Sequence, residues 1–123
     1  MQYDDGTLIK DWTSMDNHML EKIYQARNLT KAEKDILLAL CRTIFHQSNT
    51  GVVQTEWWAA APFIADEVNW SERTVRRAYK SLERKKVLTT SIAPMQTKDK
   101  DGNQILRNTI KVKFNTKLDE WKI

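Results

Sequence analysis

The sequence predicts a mainly α chain with a small β wing, a winged helix-turn-helix. Three observations predict it. A helix headed by a capping motif at 30–33 carries a long apolar stripe. The segment 62–88, PFIADEVNWSERTVRRAYKSLERKKVL, reads as a short helix, a three-residue turn and a capped helix with a basic outer face. Strand-like residues then flank a polar stretch ending in Asp101-Gly102, a hairpin turn signal.

In chain order, residues 1–13 read as an arm. Gly6 and Asp4-Asp5 oppose regular structure, while Leu8, Ile9 and Trp12 are placed to pin it to the domain. A helix is expected from about 14 to 27, with Met19, Leu20, Ile23 and Tyr24 facing inward. Thr30 and Glu33 form a full capping box, so the next helix starts at Lys31 and runs to about His46 or Gln47. Its stripe of Ala32, Ile36, Leu37, Leu40, Ile44 and Phe45 makes it the core helix. Residues 48–51 are a turn cluster, and Val52-Val53 is expected as a short strand pairing with the wing. Trp57 and Trp58 fit core packing, base stacking or a partner surface, and the sequence leaves these open.

Pro62 suits a first helical turn, and Phe63, Ile64 and Val68 make that helix apolar. Asn69 can take the left-handed conformation that a helix-turn-helix turn requires, and Trp70 is expected to fill the gap between the helices. Ser71 is the N-cap of the second helix, with Glu72 at the positive end of its dipole. The capping box is incomplete, because Thr74 stands where Glu or Gln would close it. Val75, Ala78, Tyr79 and Leu82 fall at i, i+3, i+4 and i+7, which docks this helix on a core. Arg73, Arg76, Arg77, Lys80 and Arg84 occupy the other side. The same charges also fit a solvated face laced by pairs such as Glu72 with Arg76.

A strand is expected over 87–92, a polar loop over 93–103 and a returning strand over 105–115 that alternates Ile110, Val112 and Phe114 with Thr109, Lys111 and Lys113. Lys98, Lys100 and Arg107 lie at or near the tip, within reach of phosphates or a minor groove. An ordinary hairpin whose charges protect its edge fits equally well. Leu118 and Trp121 mark one side of a further short helix. One domain is expected over 14–115, with 116–123 as an extension or the start of a linker.

Charge separates along the chain. Residues 1–70 hold six basic and ten acidic side chains, a balance of −4, whereas 71–117 hold thirteen basic and four acidic ones, a balance of +9. An acidic half joined to a strongly basic one suits an oriented polyanion binder. No apolar run approaches the roughly 20 residues of a membrane span, and the acidic start lacks the features of a signal peptide. The single Cys41 sits among apolar residues and reads as a reduced core thiol, which predicts a cytoplasmic, nucleoid-associated protein. His18 and His46 have no partners at zinc spacing, no phosphate loop is present, and the paired acids are adjacent rather than facing, so no metal, cofactor or enzymatic activity is expected.

The expected function is sequence-specific binding of double-stranded DNA through Ser71, Arg73, Thr74, Arg76, Arg77, Lys80 and Arg84, with Lys98, Lys100 and Arg107 from the wing. Paired donors on the arginines suit guanine edges, while Lys80, Arg84, Lys85 and Lys86 suit phosphates. Two alternatives stand: a transcriptional regulator, and a protein-interaction domain using 52–61 and Leu118/Trp121 as its surface.

Two stretches, NHMLE at 17–21 and LTKAEKDILLALCRTIF at 29–45, make residues 14–92 resemble the N-terminal domain of lambdoid phage replication protein O. The chain departs from that pattern at 47–61. The resemblance implies a dimeric DNA-binding domain that recognises repeats at a replication origin, located in the host cytoplasm, with a region beyond this chain recruiting the host replicative helicase machinery. It places Arg73, Thr74, Arg76, Arg77 and Lys80 on the recognition helix.

Overall fold

The computed structural model describes residues 1–46 and 51–123. Its order is β1 (Gln2–Tyr3), α1 (Asn17–Gln25), α2 (Lys31–His46), β2 (Val52–Val53), β3 (Glu56–Trp58), α3 (Ala61–Val68), α4 (Glu72–Arg84), β4 (Leu88–Lys98) and β5 (Gln104–Phe114), then a single 3₁₀ turn, Leu118–Glu120. The end of the expected α2 at Gln47 and most of the expected 48–51 turn lie outside the described residues. No helix among those described is long and apolar enough to cross a membrane.

The expectation of a mainly α winged helix-turn-helix with a small wing is corrected. The described residues are 41% helical and 27% strand, with five strands in two sheets. Strand β3 arises in a segment the sequence left open, and two misreadings account for the rest of the difference. First, 93–98 is strand, not loop. β4 and β5 are 11 residues each and pair without interruption from Leu88 with Phe114 to Lys98 with Gln104. Pro94 is accommodated because β4 is an edge of the sheet β3-β5-β4, where a missing N–H leaves no ladder bond unmade. Second, Val52-Val53 does not pair with the hairpin. It pairs in parallel with β1, inside the segment read as an arm.

That segment is laced into the domain. Tyr3 is buried, and its hydroxyl donates to Asp16 Oδ2 at 2.6 Å. Asp16 in turn caps α1 by accepting from the Met19 N–H at 3.1 Å. Asp4 accepts from the Thr55 hydroxyl at 2.7 Å, and Asp5 from the Thr116 hydroxyl at 2.6 Å. The adjacent acids that looked like loop formers are acceptors joining distant parts of the chain.

The helices begin where short-range chemistry dictates. Thr30 Oγ1 accepts from the Glu33 N–H at 3.1 Å, and the Glu33 carboxylate accepts from the Thr30 N–H at 3.2 Å, which closes the capping box. Ile36, Leu37, Leu40, Cys41, Ile44 and Phe45 of α2 are buried. They meet Ile64 and Ala65 of α3, the inner face of α4, and Leu88, Val112 and Phe114 of the sheet in one core. In α1 the inward residues are Met19 and Ile23; Tyr24, expected inside, is 79% exposed. The C-terminal segment forms no α-helix. Trp121 is buried, its indole N–H donates to the Asn115 carbonyl at 2.7 Å, and Lys122 N–H donates to the Lys85 carbonyl at 2.7 Å.

Candidate nucleic-acid interface

Asn69 closes α3 in the left-handed conformation, at φ 59° and ψ 40°. Its short polar side chain tolerates this better than most. Ser71 Oγ accepts from the Thr74 N–H at 3.1 Å, and the Ser71 and Thr74 hydroxyls meet at 2.9 Å in place of the missing Glu of a capping box. Trp70 is half-buried, and its indole N–H donates to Asp35 on α2 at 3.0 Å. That bond, with Lys31 beside it, holds the Asp35 carboxyl below its ordinary range.

These restraints fix the roll of α4. Val75, Ala78, Tyr79 and Leu82 are buried. The Tyr79 hydroxyl donates to the Ala59 carbonyl at 2.9 Å. Burial pushes this phenol far above its ordinary range, with the Arg76 charge acting weakly the other way. The opposite face presents Arg73, Arg76, Arg77, Lys80 and Arg84, all exposed. Among the described residues no carboxylate lies within 4 Å of any of these five cations, and the Glu72–Arg76 pair considered from the sequence does not form. Ser71 is exposed and Thr74 half-buried at the start of the same helix.

Lys85 leaves this set. Its ammonium donates to Glu33 Oε2 at 2.8 Å and to the Asn28 carbonyl at 2.6 Å, turned in toward α2 rather than out to solvent. Glu33 also accepts from the Ser81 hydroxyl at 3.0 Å. Burial would raise the Glu33 carboxyl, but the bonds from Lys85, Thr30 and Ser81 outweigh it and hold the group below its ordinary value. Lys86 remains exposed, in the left-handed region at φ 64°. Its N–H bonds the Glu83 carbonyl and the next N–H, of Val87, bonds the Leu82 carbonyl. This is a Schellman closure with lysine in the usual glycine position.

The hairpin does not gather its three predicted cations. Arg107 pairs with Met95 on one face, whereas Lys98 pairs with Gln104 on the other, and Lys100 lies in the 99–103 loop. All three are exposed. The loop is held by Asp99, whose carboxylate accepts from the Asp101 and Asn103 N–H groups at 2.9 Å each. Sequence reasoning missed a link between hairpin and helix. Glu83 Oε1 accepts from both the backbone N–H and, at 2.7 Å, the hydroxyl of Thr90, tying the flank of α4 to β4. Only the seven-residue separation of a carboxylate and a hydroxyl across the helix end hinted at it.

Trp57 packs against the core, and Trp58 is half-buried under Lys111, whose ammonium sits 4.4 Å from the ring centroid and 3.2 Å from Glu56. With Trp121 buried as well, the surfaces named for a protein-interaction domain are largely covered.

No protein-family model matches the chain, and no curated protein matches it. Among solved structures it is similar to a possible transcriptional regulator from Methanosarcina mazei Go1, at 19% identity over 81% of this chain and 68% of that one, with a TM-score of 0.43. A likeness that loose carries no argument about function.

Proposed function

We propose that the chain is a sequence-specific double-stranded DNA-binding domain, with α4 as the element that enters the major groove. The observation that carries this reading is the outer face of α4: five exposed cations with no carboxylate in ion-pair reach among the described residues, on a helix whose other face is fixed in the core. Ion-paired cations would serve a solvated surface; unpaired ones on one rigid face serve a polyanion. Arginine offers paired donors to guanine edges, each such pair giving about 1–3 kcal/mol of discrimination.

The finer reading is a replication initiator that recognises repeated origin sites, supported by the resemblance to lambdoid phage replication protein O. A transcription regulator would present the same face. Selection of duplexes from a random pool gives the site, and mapping where bound sites fall separates the two: tandem repeats within an origin mark the first and a single operator at a promoter the second.

The test of DNA binding itself is a titration across salt concentrations. Neutralising about six phosphates predicts a log–log slope near −5, and Lys80→Ala should reduce its magnitude by about 0.9. Lys85→Ala should leave it unchanged, because Lys85 is engaged by Glu33. A flat salt response, or unaltered site preference in Arg76→Ala/Arg77→Ala, overturns the assignment.

A further inference from the structure

The hairpin outgrows the core that anchors it. Its register opposes Leu88 to Phe114, Thr90 to Val112, Ile92 to Ile110, Pro94 to Asn108 and Gln96 to Leu106. Opposed residues share a face, and faces alternate along a strand. These pairs therefore lie on the face whose base, Leu88, Val112 and Phe114, is buried against the helices. Beyond the core that face carries three exposed apolar side chains among the uncharged polar Gln96, Gln104 and Asn108. Ile92 is 68% exposed and Leu106 74% exposed, with exposed Pro94 between them, and the first charge on the face is Lys98. Neither aliphatic side chain contributes to the core, so folding does not account for them.

Helix α4 forms the adjoining wall. Thr90 is tied to Glu83. Further along, the Tyr79 hydroxyl donates to the Ala59 carbonyl, the Ala59 N–H donates to the Ile110 carbonyl at 2.8 Å, and Ile110 faces Ile92. Ile92 therefore lies on the β4 side of Ile110, away from Ala59, and two residues beyond the Thr90 that Glu83 ties to the end of α4. Arg84, exposed, follows Glu83 at that end of α4. The apolar strip runs from the flank of the cationic face to the tip that carries Lys98 and Lys100.

We propose that Ile92, Pro94 and Leu106 form an apolar contact strip for the sugars and base edges of the duplex gripped by α4. The inference rests on the DNA-binding reading. Cations bound the strip at both ends, so a polyanion seated on them lies across it. Sugars and thymine methyl groups are the apolar parts of a duplex groove, and aliphatic side chains are the ones that pack on them or wedge between base steps. Such contacts release no counterions, so their contribution does not vary with salt as phosphate contacts do. A second copy of the chain fits less well: the exposed β4 edge carries Pro94, which has no N–H to continue a sheet.

The test compares the full chain with Ile92→Ala/Leu106→Ala, using the duplex selected from the random pool. Both sites are exposed, so the melting temperature of the variant should match that of the parent. Affinity should fall roughly tenfold or more, as expected for losing two aliphatic contacts, with the salt slope unchanged. Equal affinity at an intact parental slope overturns the strip and leaves the DNA reading standing. Parental self-association that is lost in the variant, with unchanged affinity per protomer, overturns it in favour of a contact between copies. A parent chain that binds no duplex overturns both readings.

Discussion

Glu33→Ala is expected to cost about 3 kcal/mol of stability. The carboxylate is 5% exposed and serves three donors: the Thr30 N–H at 3.2 Å, the Ser81 hydroxyl at 3.0 Å and the Lys85 ammonium at 2.8 Å. A hydrogen bond to a charged group contributes about 1.5–3 kcal/mol, and breaking a buried pair costs about 3–5 kcal/mol when the remaining charge stays buried. The Lys85 side chain is 19% exposed and can turn toward water, which places the loss at the lower end of that range. Urea unfolding followed by circular dichroism measures it, in a cycle with Lys85→Ala and the double variant. The two residues touch, so their effects should fall short of additive by about 1 kcal/mol or more. Additivity within about 0.4 kcal/mol would refute the idea that this pair joins α2 to α4. The pH dependence has a definite sign. Hydrogen bonding holds the folded carboxyl below its ordinary value of 4.5, so its stabilisation is complete above that value and is lost as pH falls through the depressed one. Glu33→Gln, with no proton to gain, should lose less stability than the parent on acidification.

Two further substitutions probe the fold. Lys86→Gly should raise stability by about 1 kcal/mol, because glycine takes the left-handed conformation at the end of α4 without steric cost; a lower urea midpoint would count against the Schellman closure. Tyr3→Phe removes the 2.6 Å donor to buried Asp16 and should cost about 1–3 kcal/mol. An unchanged thermal melt would mean that residues 1–13 contribute little to the fold.

What the sequence made legible is set by the range of the deciding interactions. The Thr30/Glu33 box, the Ser71 cap and the left-handed Asn69 depend on bonds within four residues, and each stands where it was read. The buried seam of α4 follows from period alone. The largest misreadings involve distant partners. Val52-Val53 has a plain strand composition, but nothing local says that it pairs with Gln2-Tyr3. Pro94 looks like a breaker until β4 is known to be an edge. Tyr24 falls on the apolar side of α1 by spacing, yet Met19 and Ile23 are buried there and Leu20 partly covered, while Tyr24 stays out. Trp121 resembles an exposed sticky residue until Asn115 is seen to accept its indole N–H. Of the proposed DNA contacts, those on α4 share one exposed face, while Lys98 and Arg107 point to opposite sides of the hairpin, a consequence of register that composition does not carry.

The charge separation along the chain acquires a physical meaning only once the pairs are known. Two of the acids in the first half are spent on cations of the second: Glu33 holds Lys85, and Glu56 holds Lys111 over Trp58. Both pairs sit where the basic segment joins the body of the domain, so they anchor it without reaching the outer face of α4. Glu83, an acid within α4 itself, is turned to Thr90 on β4. Glu33 and Glu83 are therefore occupied in holding the scaffold of that face, Glu72 makes no ion pair among the described residues, and Arg73, Arg76, Arg77, Lys80 and Arg84 face solvent. A helix with the same composition but with Glu72 or Glu83 paired along its own surface would be a solvated face of low net field. The acids' choice of partner, rather than the count of basic residues, is what makes this surface fit for a polyanion.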